Sequence, residues 1–104
     1  MVSADELTHL PNQHYVRVAG CVIARQRPGT AKGFVFLSLE DETGIANVIF
    51  TPDAFEQNRN VVTRSRFVFV EGSLQHQDGV IHIRAQGITP LVISDIEIRA
   101  HNFH

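Results

Sequence analysis

The sequence has little cysteine, no long apolar run and almost no net charge, and each shortage excludes a class of protein. The single cysteine, Cys21, excludes an internal disulfide and is typical of a reducing compartment, so we expect a cytoplasmic protein. No run of about 18 apolar residues exists, which excludes a membrane-spanning helix. The first residues also lack the basic-then-apolar order of a signal peptide. With 104 residues, of which 43% are hydrophobic, the chain suffices for one compact domain with an ordinary core.

The net charge of −2 counts against a free-standing nucleic-acid-binding protein, because such domains are usually basic. The cations are nevertheless clustered. Five of the nine lie in two short segments, Arg25, Arg27 and Lys32 in the first and Arg64 and Arg66 in the second. A local cluster of this kind can attract a polyanion even when the whole chain is slightly negative.

Alternating apolar residues predict five β-strands. In the second of them Val35, Leu37 and Leu39 share the face that we expect to be buried, and Phe34 and Phe36 share the other. The first strand contains Gly20, which is typical of a bulge or bend. The fourth is almost continuously apolar over 67–70, which indicates a strand covered on both faces. The predicted strands span 15–25, 33–41, 45–50, 66–77 and 80–91.

A helix is predicted between the third and fourth strands. Thr51 can cap it, Pro52 suits the first helical position, and Asp53 favours the positive end of the helix dipole. We expect the helix to reach about Val61, with Phe55 and Val62 among its buried residues. Further along, Asp78-Gly79 predicts a tight hairpin with a two-residue turn.

Five strands with one helix between strands 3 and 4 are the elements of the OB-fold, a partly open five-stranded barrel. We therefore expect an all-β OB-fold domain over 15–92. Residues 1–14 would be an N-terminal lead-in or tail, and 93–104 a C-terminal tail. Ligands of this fold usually bind the face of strands 2 and 3 and the loops after strands 1 and 4.

The loop after the first strand is the first candidate for nucleic-acid binding. Arg25, Arg27 and Lys32 flank Pro28-Gly29, and such cations would contact phosphates without reading sequence. A solvated loop whose charges serve solubility is the alternative. Both interpretations remain open from the sequence.

Outward-facing strand residues are the second candidate. Phe34 and Phe36 could stack on nucleobases, at about 1–3 kcal/mol per base, or could be covered by a neighbouring domain. Asn47 and Arg84 lie on outward registers and could donate to phosphates or base edges. His82 and Arg17 also lie on outward registers and could make the same contacts. For each of these polar residues the alternative is a position on a solvated sheet face.

No pattern of catalytic, metal-binding or cofactor-binding residues is found. The six histidines lack zinc-ligand spacing, and no second cysteine accompanies Cys21. The acidic run Glu40-Asp41-Glu42 has no partner base or nucleophile and fits a turn. P-loop, dinucleotide-binding and nucleophile-elbow motifs are absent from the sequence. We therefore expect no catalytic residue, no metal and no cofactor in this chain.

Several motifs resemble the C-terminal OB domain of bacterial error-prone DNA polymerases, the C-family enzymes of damage tolerance. The most specific is Arg-Gln-Arg-Pro-Gly-Thr-Ala-Lys-Gly at 25–33, followed by Leu-Glu-Asp-Glu-Thr-Gly at 39–44 and Ala-Asn-Val-Ile at 46–49. Val-Ala-Gly at 18–20, Val-Glu-Gly-Ser-Leu-Gln at 70–75 and Gly-Val-Ile-His at 79–82 extend it over about 15–92. The ending Asn102-Phe103-His104 also resembles the natural end of such polymerases, which implies a C-terminal fragment.

The resemblance implies that the catalytic carboxylates of the polymerase lie upstream, outside this chain. It also implies a non-catalytic module that binds single-stranded DNA weakly during translesion synthesis, in DNA replication and repair. Its partners would then be single-stranded DNA, the rest of the polymerase and its mutagenesis accessory proteins, without a membrane, and the isolated domain would be a monomer. The alternative is a protein-interaction module that docks through Phe34, Phe36, Ile45 and Ile49.

Overall fold

The protein forms a closed five-stranded barrel in a computed structural model that describes residues 1–92. The strands follow the order β1-β2-β3-β5-β4 around the barrel, and all neighbours are antiparallel except β3 and β5, which are parallel. The all-β barrel with a helical segment between strands 3 and 4, as predicted, is confirmed. The elements are β1 (Tyr15–Gln26), β2 (Val35–Asp41), β3 (Gly44–Phe50), α1 (Pro52–Gln57), α2 (Arg59–Arg64), β4 (Phe67–Gln77) and β5 (Val80–Pro90).

Alternate residues of every strand fill the barrel. Leu37 on β2 pairs with Val48 on β3, which pairs with Ile83 on β5, and all three side chains are buried. The inward register predicted for Val35, Leu37 and Leu39 is confirmed, and Ala46, Val48 and Phe50 of β3 are buried with them. Because successive strand residues point to opposite faces, the residues between them must lie on the outer wall.

The first strand changes partners near its middle. Its first half pairs with β4 as far as Cys21, and its second half pairs with β2 from Cys21 onward. The register of β1 on β2 shifts between Val22 and Ala24, two residues after the glycine at which the sequence predicted a bulge or bend. The hairpin prediction is confirmed as well, because Asp78 and Gly79 have φ angles of 52° and 79°.

The helical segment closes one end of the barrel. Thr51 Oγ1 accepts a hydrogen bond from the Ala54 N–H at 3.2 Å, and Phe55 and Val62 are buried, as predicted. The segment is longer than predicted and is divided at Asn58 into two short helices. The Asn58 side chain donates to the Ala54 carbonyl at 2.8 Å, so it holds the last turn of α1 in place.

Residues before β1 pack on the opposite end of the barrel. Ala4–His9 form a 3₁₀ helix, and the side chains of Ala4 and Leu7 are buried in the core. Asp41 at the end of β2 anchors this helix, because its carboxylate accepts a hydrogen bond from the Ala4 N–H at 2.7 Å. Partial burial alone would raise the pKa of Asp41. Hydrogen bonds from Thr43 and from the backbone N–H groups of Ala4, Thr43 and Gly44 outweigh burial and hold that pKa below its ordinary value.

The predicted C-terminal tail, 93–104, lies outside the described residues, as does the polymerase-like ending at 102–104. The division of the chain into a lead-in, an OB-fold domain and a tail therefore stays a prediction. Within 1–92, no helix is long and apolar enough to cross a bilayer.

Candidate nucleic-acid interface

The outer wall of β2, β3 and β5 brings aromatic, apolar and cationic side chains into one row. Phe36 pairs with Ile49 on β3, and Ile49 pairs with Arg84 on β5. Phe36 and Ile49 are half-buried and Arg84 is exposed, so the row is open to solvent on the outside of the barrel. Such a row offers an apolar ring face beside a positive charge.

A second row of polar side chains runs beside the first. Ser38 pairs with Asn47. Since Val48 pairs with Ile83 in the parallel ladder, the preceding residues, Asn47 and His82, also lie side by side. The rings of Phe36 and His82 lie 6.5 Å apart between centroids, at an interplanar angle of 58°. We call these six residues the outer wall: Phe36, Ser38, Asn47, Ile49, His82 and Arg84.

The structure therefore brings three of the sequence-predicted site residues together. Phe36 on β2, Asn47 on β3 and Arg84 on β5 share the outer wall with His82, which also lies on β5. Each of the four offers a group suited to nucleic acid, a ring face, an amide or a cation.

Arg25 has a structural partner that the sequence did not reveal. It pairs with Leu37, so it follows the inward register, and its guanidinium reaches the C-terminal end of α2. There Nε donates to the Val62 carbonyl at 2.7 Å and Nη2 donates to the Ser65 carbonyl. A guanidinium in this position satisfies carbonyls that the helix leaves unpaired.

We expect Arg25→Gln to destabilise the domain. The loss should be about 1–2 kcal/mol, because two charge-assisted hydrogen bonds to the end of α2 disappear. Urea denaturation followed by circular dichroism measures it, with the exposed Arg64→Gln, also near the end of α2, as the control. Equal midpoints for both variants would contradict this role of Arg25.

Arg27 lies beside the helices rather than on the outer wall. Its guanidinium carbon is 5.1 Å from the centroid of the Phe55 ring, and that of Arg59 is also 5.1 Å from it. The Glu56 carboxylate forms an ion pair with the Arg59 guanidinium. A hydrogen bond from Arg59, assisted by the charge of Arg27, holds the pKa of the Glu56 carboxyl below its ordinary value. Two guanidinium groups thus flank one buried ring at the helical end of the barrel.

Lys32 and Phe34 occupy the loop that leads into β2. Gly29–Ala31 form a single 3₁₀ turn, and exposed Lys32 follows it in the left-handed conformation, with φ of 52°. Phe34 is half-buried, and its N–H donates to the Ala31 carbonyl at 3.1 Å. The loop starts beside the outer wall, because Gln26 at the end of β1 pairs with Phe36.

Arg59 is a candidate phosphate-contacting residue that the sequence analysis did not identify. The spacing of Glu56 and Arg59, three residues apart on a helical segment, signals an ion pair, and the structure contains it. Nothing in the local sequence, however, brings Arg59 beside Arg27, since their proximity depends on how α1 closes the barrel.

The described part of the chain shows no arrangement for metal chemistry. In residues 1–92, no group of three or more His, Cys, Asp or Glu side chains is placed to hold a metal ion. Cys21 is half-buried on β1.

Comparisons with known proteins agree with this geometry. A family model described as an OB-fold nucleic acid binding domain, of the tRNA anti-codon type, matches residues 16–91. An error-prone DNA polymerase from Anaeromyxobacter dehalogenans is 45% identical over 103 residues, which cover 98% of this chain and 9% of that protein.

Two solved structures are similar in fold. Asparaginyl-tRNA synthetase from Pyrococcus horikoshii, complexed with asparaginyl-adenylate, has a TM-score of 0.72 and 23% identity, covering 86% of this chain and 22% of that one. A chain of a Replication Protein A heterotrimer bound to ssDNA has a TM-score of 0.62 and 23% identity, covering 86% of this chain and 66% of that one.

The resemblance to error-prone DNA polymerases predicted from the motifs is confirmed, and this chain spans about a tenth of the relative's length. The matched family model covers the whole barrel, from β1 to the end of β5. The chain belongs to the OB-fold nucleic-acid-binding domain family, in a form related to one segment of bacterial error-prone DNA polymerases.

Proposed function

We propose that this domain binds single-stranded DNA weakly across its outer wall, as a non-catalytic module of an error-prone DNA polymerase. The row of Phe36, Ile49 and Arg84, with the His82 ring beside it, is the observation that carries the proposal. Unpaired bases expose ring faces that stack on aromatic side chains, and their phosphates need nearby cations. Because every base has such a face, binding of this kind is tolerant of sequence.

The distribution of charge supports a path for the DNA strand that leads from the outer wall toward the helical end of the barrel. Six cations belong to the helical end and the loop before β2, and only two carboxylates accompany them in these segments, Asp53 and Glu56. A strand that crosses the outer wall would reach Lys32 in that loop and the pair formed by Arg27 and Arg59. The six cations are Arg25, Arg27, Lys32, Arg59, Arg64 and Arg66.

The same features account for weak binding. The outer wall carries one phenylalanine and one histidine ring, so few bases can stack at once. Arg25 is engaged with α2, and Arg59 is paired with Glu56, which leaves fewer free cations for phosphates. Weak, sequence-tolerant binding suits a module that acts beside the polymerase domains. Because the module is linked to them, its effective concentration at the DNA is high and it adds to their overall DNA affinity.

The kinship with error-prone DNA polymerases supports a role of this module in translesion synthesis, during DNA replication and repair in the bacterial cytoplasm. In this proposal the polymerase chemistry belongs to the remainder of a much longer protein, of which this chain would form one segment. The rest of the polymerase and its mutagenesis accessory proteins are the further partners, and the isolated domain is a monomer.

Fluorescence anisotropy with labelled oligo-dT tests this proposal. We expect binding that weakens steeply between 20 and 150 mM salt, because phosphate contacts release bound counterions (~0.7 per contact for single strands). Arg84→Ala should flatten the salt dependence by about one contact. Arg17→Ala is the matched control, since Arg17 is paired with Glu71 at 3.2 Å, away from the outer wall. Binding absent at 20 mM salt, or unaffected by Arg84→Ala, would overturn the proposal.

A further inference from the structure

We propose that an open groove at the end of the barrel opposite the helices binds a basic protein segment that carries one apolar anchor side chain. The groove lies between the 3₁₀ helix, the start of β3 and the β4–β5 hairpin. We call it the acidic groove. It is lined by Leu7, Thr8, Ile45, Val80 and Ile81, among others, and by Asn47, which it shares with the outer wall. Its occupancy does not depend on the proposed DNA binding.

The acidic groove offers apolar surface that the barrel itself does not cover. Ile45 is 53% exposed and Val80 is 45% exposed, while Leu7 and Ala46 form a buried floor. Its volume is about 290 Å³. This volume is close to the lower end of the range for ligand pockets, about 300–1,000 Å³, so the groove has room for an apolar side chain such as that of leucine.

Hydrogen bonds hold the walls of the groove in place before any ligand arrives. The Ala4 N–H donates to the Asp41 carboxylate at 2.7 Å, and the Asp5 N–H donates to Thr43 Oγ1 at 3.1 Å. On the other side, the His76 N–H donates to Asn12 Oδ1 at 3.0 Å, which ties the β4–β5 hairpin to the N-terminal segment. A preformed groove loses little conformational entropy on binding, so even a short segment can dock there.

The segments that form this groove carry carboxylates, and we infer that their negative charge selects a basic partner. Glu40 is the cross-strand neighbour of Ile45, Glu42 lies in the turn before it, and Asp78 precedes Gly79. Segments 4–9, 40–45 and 77–81 contain no lysine or arginine. Their six carboxylates are Asp5, Glu6, Glu40, Asp41, Glu42 and Asp78. Complementary charge steers a basic segment to this end and repels phosphates from it.

The opposite placement of the two charge clusters lets one domain hold two partners. The helical end carries the cations, and the acidic groove lies at the far end of the β2–β3 hairpin. At physiological salt, charges separated by more than about 8 Å are largely screened, so each end acts on its own ligand. A basic segment in the groove would therefore leave the row of Phe36, Ile49 and Arg84 open for DNA, while Asn47 borders both surfaces.

A seven-residue peptide with three lysines on each side of one leucine is the probe that tests this proposal. We expect it to shift the backbone amides of Thr8, Ile45 and Val80 in NMR spectra of the full chain at pH 7.5 and low salt. A peptide with serine in place of leucine should bind at least fivefold more weakly, and one with six glutamates around leucine should not bind. Equal affinity for the serine peptide would overturn the proposal, because the groove would then act through charge alone.

Variants of the domain complete the test. Ile45→Ser should weaken binding of the leucine peptide at least fivefold, and Glu40→Gln with Glu42→Gln should reduce its salt dependence. Ile23→Ser is the matched control, because Ile23 is a similarly exposed isoleucine on β1, 47% exposed. Absence of any shift, shifts outside the groove, or groove amides that respond to oligo-dT but not to the leucine peptide would contradict the proposal. DNA binding at the outer wall is measured separately, so either proposal can fail alone.

Discussion

Phe36→Ala should weaken binding of oligo-dT about tenfold. Phe36 is the one phenylalanine of the outer wall, where it pairs with Ile49 and its ring centroid lies 6.5 Å from that of His82. Removing an aromatic platform costs about 1–3 kcal/mol per stacked base, which is roughly 5- to 150-fold in Kd. Because Phe36 is half-buried and exposes only part of its ring, the lower part of this range applies. Anisotropy at 20 mM salt measures the change.

Phe69→Ala is the matched control for that experiment. Phe69 is also an outward-facing, half-buried phenylalanine, but it lies on β4 between Ala19 of β1 and Thr89 of β5. Its removal should leave DNA binding unchanged. Melting curves of both variants show whether either change has disturbed the fold. Equal losses for the two variants, or a larger loss for Phe69→Ala, would contradict the assignment of the outer wall.

Gly72→Ala should have the largest effect on stability, a loss of about 3 kcal/mol or more. Gly72 is buried on β4 and pairs with Ala85 of β5, next to an irregularity in the β4–β5 register. A Cβ at this position would lie 2.1 Å from the Arg84 carbonyl oxygen and 3.0 Å from the Ala85 Cα. These are backbone atoms, so no side-chain rotation relieves the overlap, and the cost reaches the upper end of overpacking, about 1–3 kcal/mol.

Thermal unfolding measures that loss. For a domain of this size we expect the Tm to fall by at least about 12 °C, at roughly 4 °C or more per kcal/mol. Gly29→Ala is the control, because nothing lies within 4 Å of a Cβ at Gly29. Its Tm should stay within about 2 °C of the parent. A Gly72→Ala protein that melts with the parent would show that β4 and β5 do not approach this closely.

Local patterns were enough to predict most of the barrel. The period of two in β2 identified its buried face, Asp78-Gly79 identified the hairpin, and Thr51-Pro52 identified the start of the helical segment. Each of these signals acts between residues close in sequence. The outward position of Phe36 followed from the same period of two.

Features that depend on distant residues were predicted less well. The 3₁₀ helix is held by Asp41, 37 residues after Ala4, and Arg25 bonds to carbonyls of α2, 37 and 40 residues away. Neither contact has a local sequence signal. A related error concerns β4, since its apolar run predicted burial on both faces. Phe67 and Phe69 on the outward face of β4 are only half-buried, whereas Val68 and Val70 on its inward face are fully buried.

An NMR titration of the isotope-labelled domain with a short oligo-dT tests the central claim most directly. If the outer wall binds single-stranded DNA, the amides of Phe36, Asn47 and Arg84 should shift together with those of the loop 27–33, in proportion to one another and less at higher salt. The amides of 4–9 and of the β4–β5 hairpin tip should hardly move. Shifts that cluster on the β1–β4 face, or no shifts even at low salt, would contradict it.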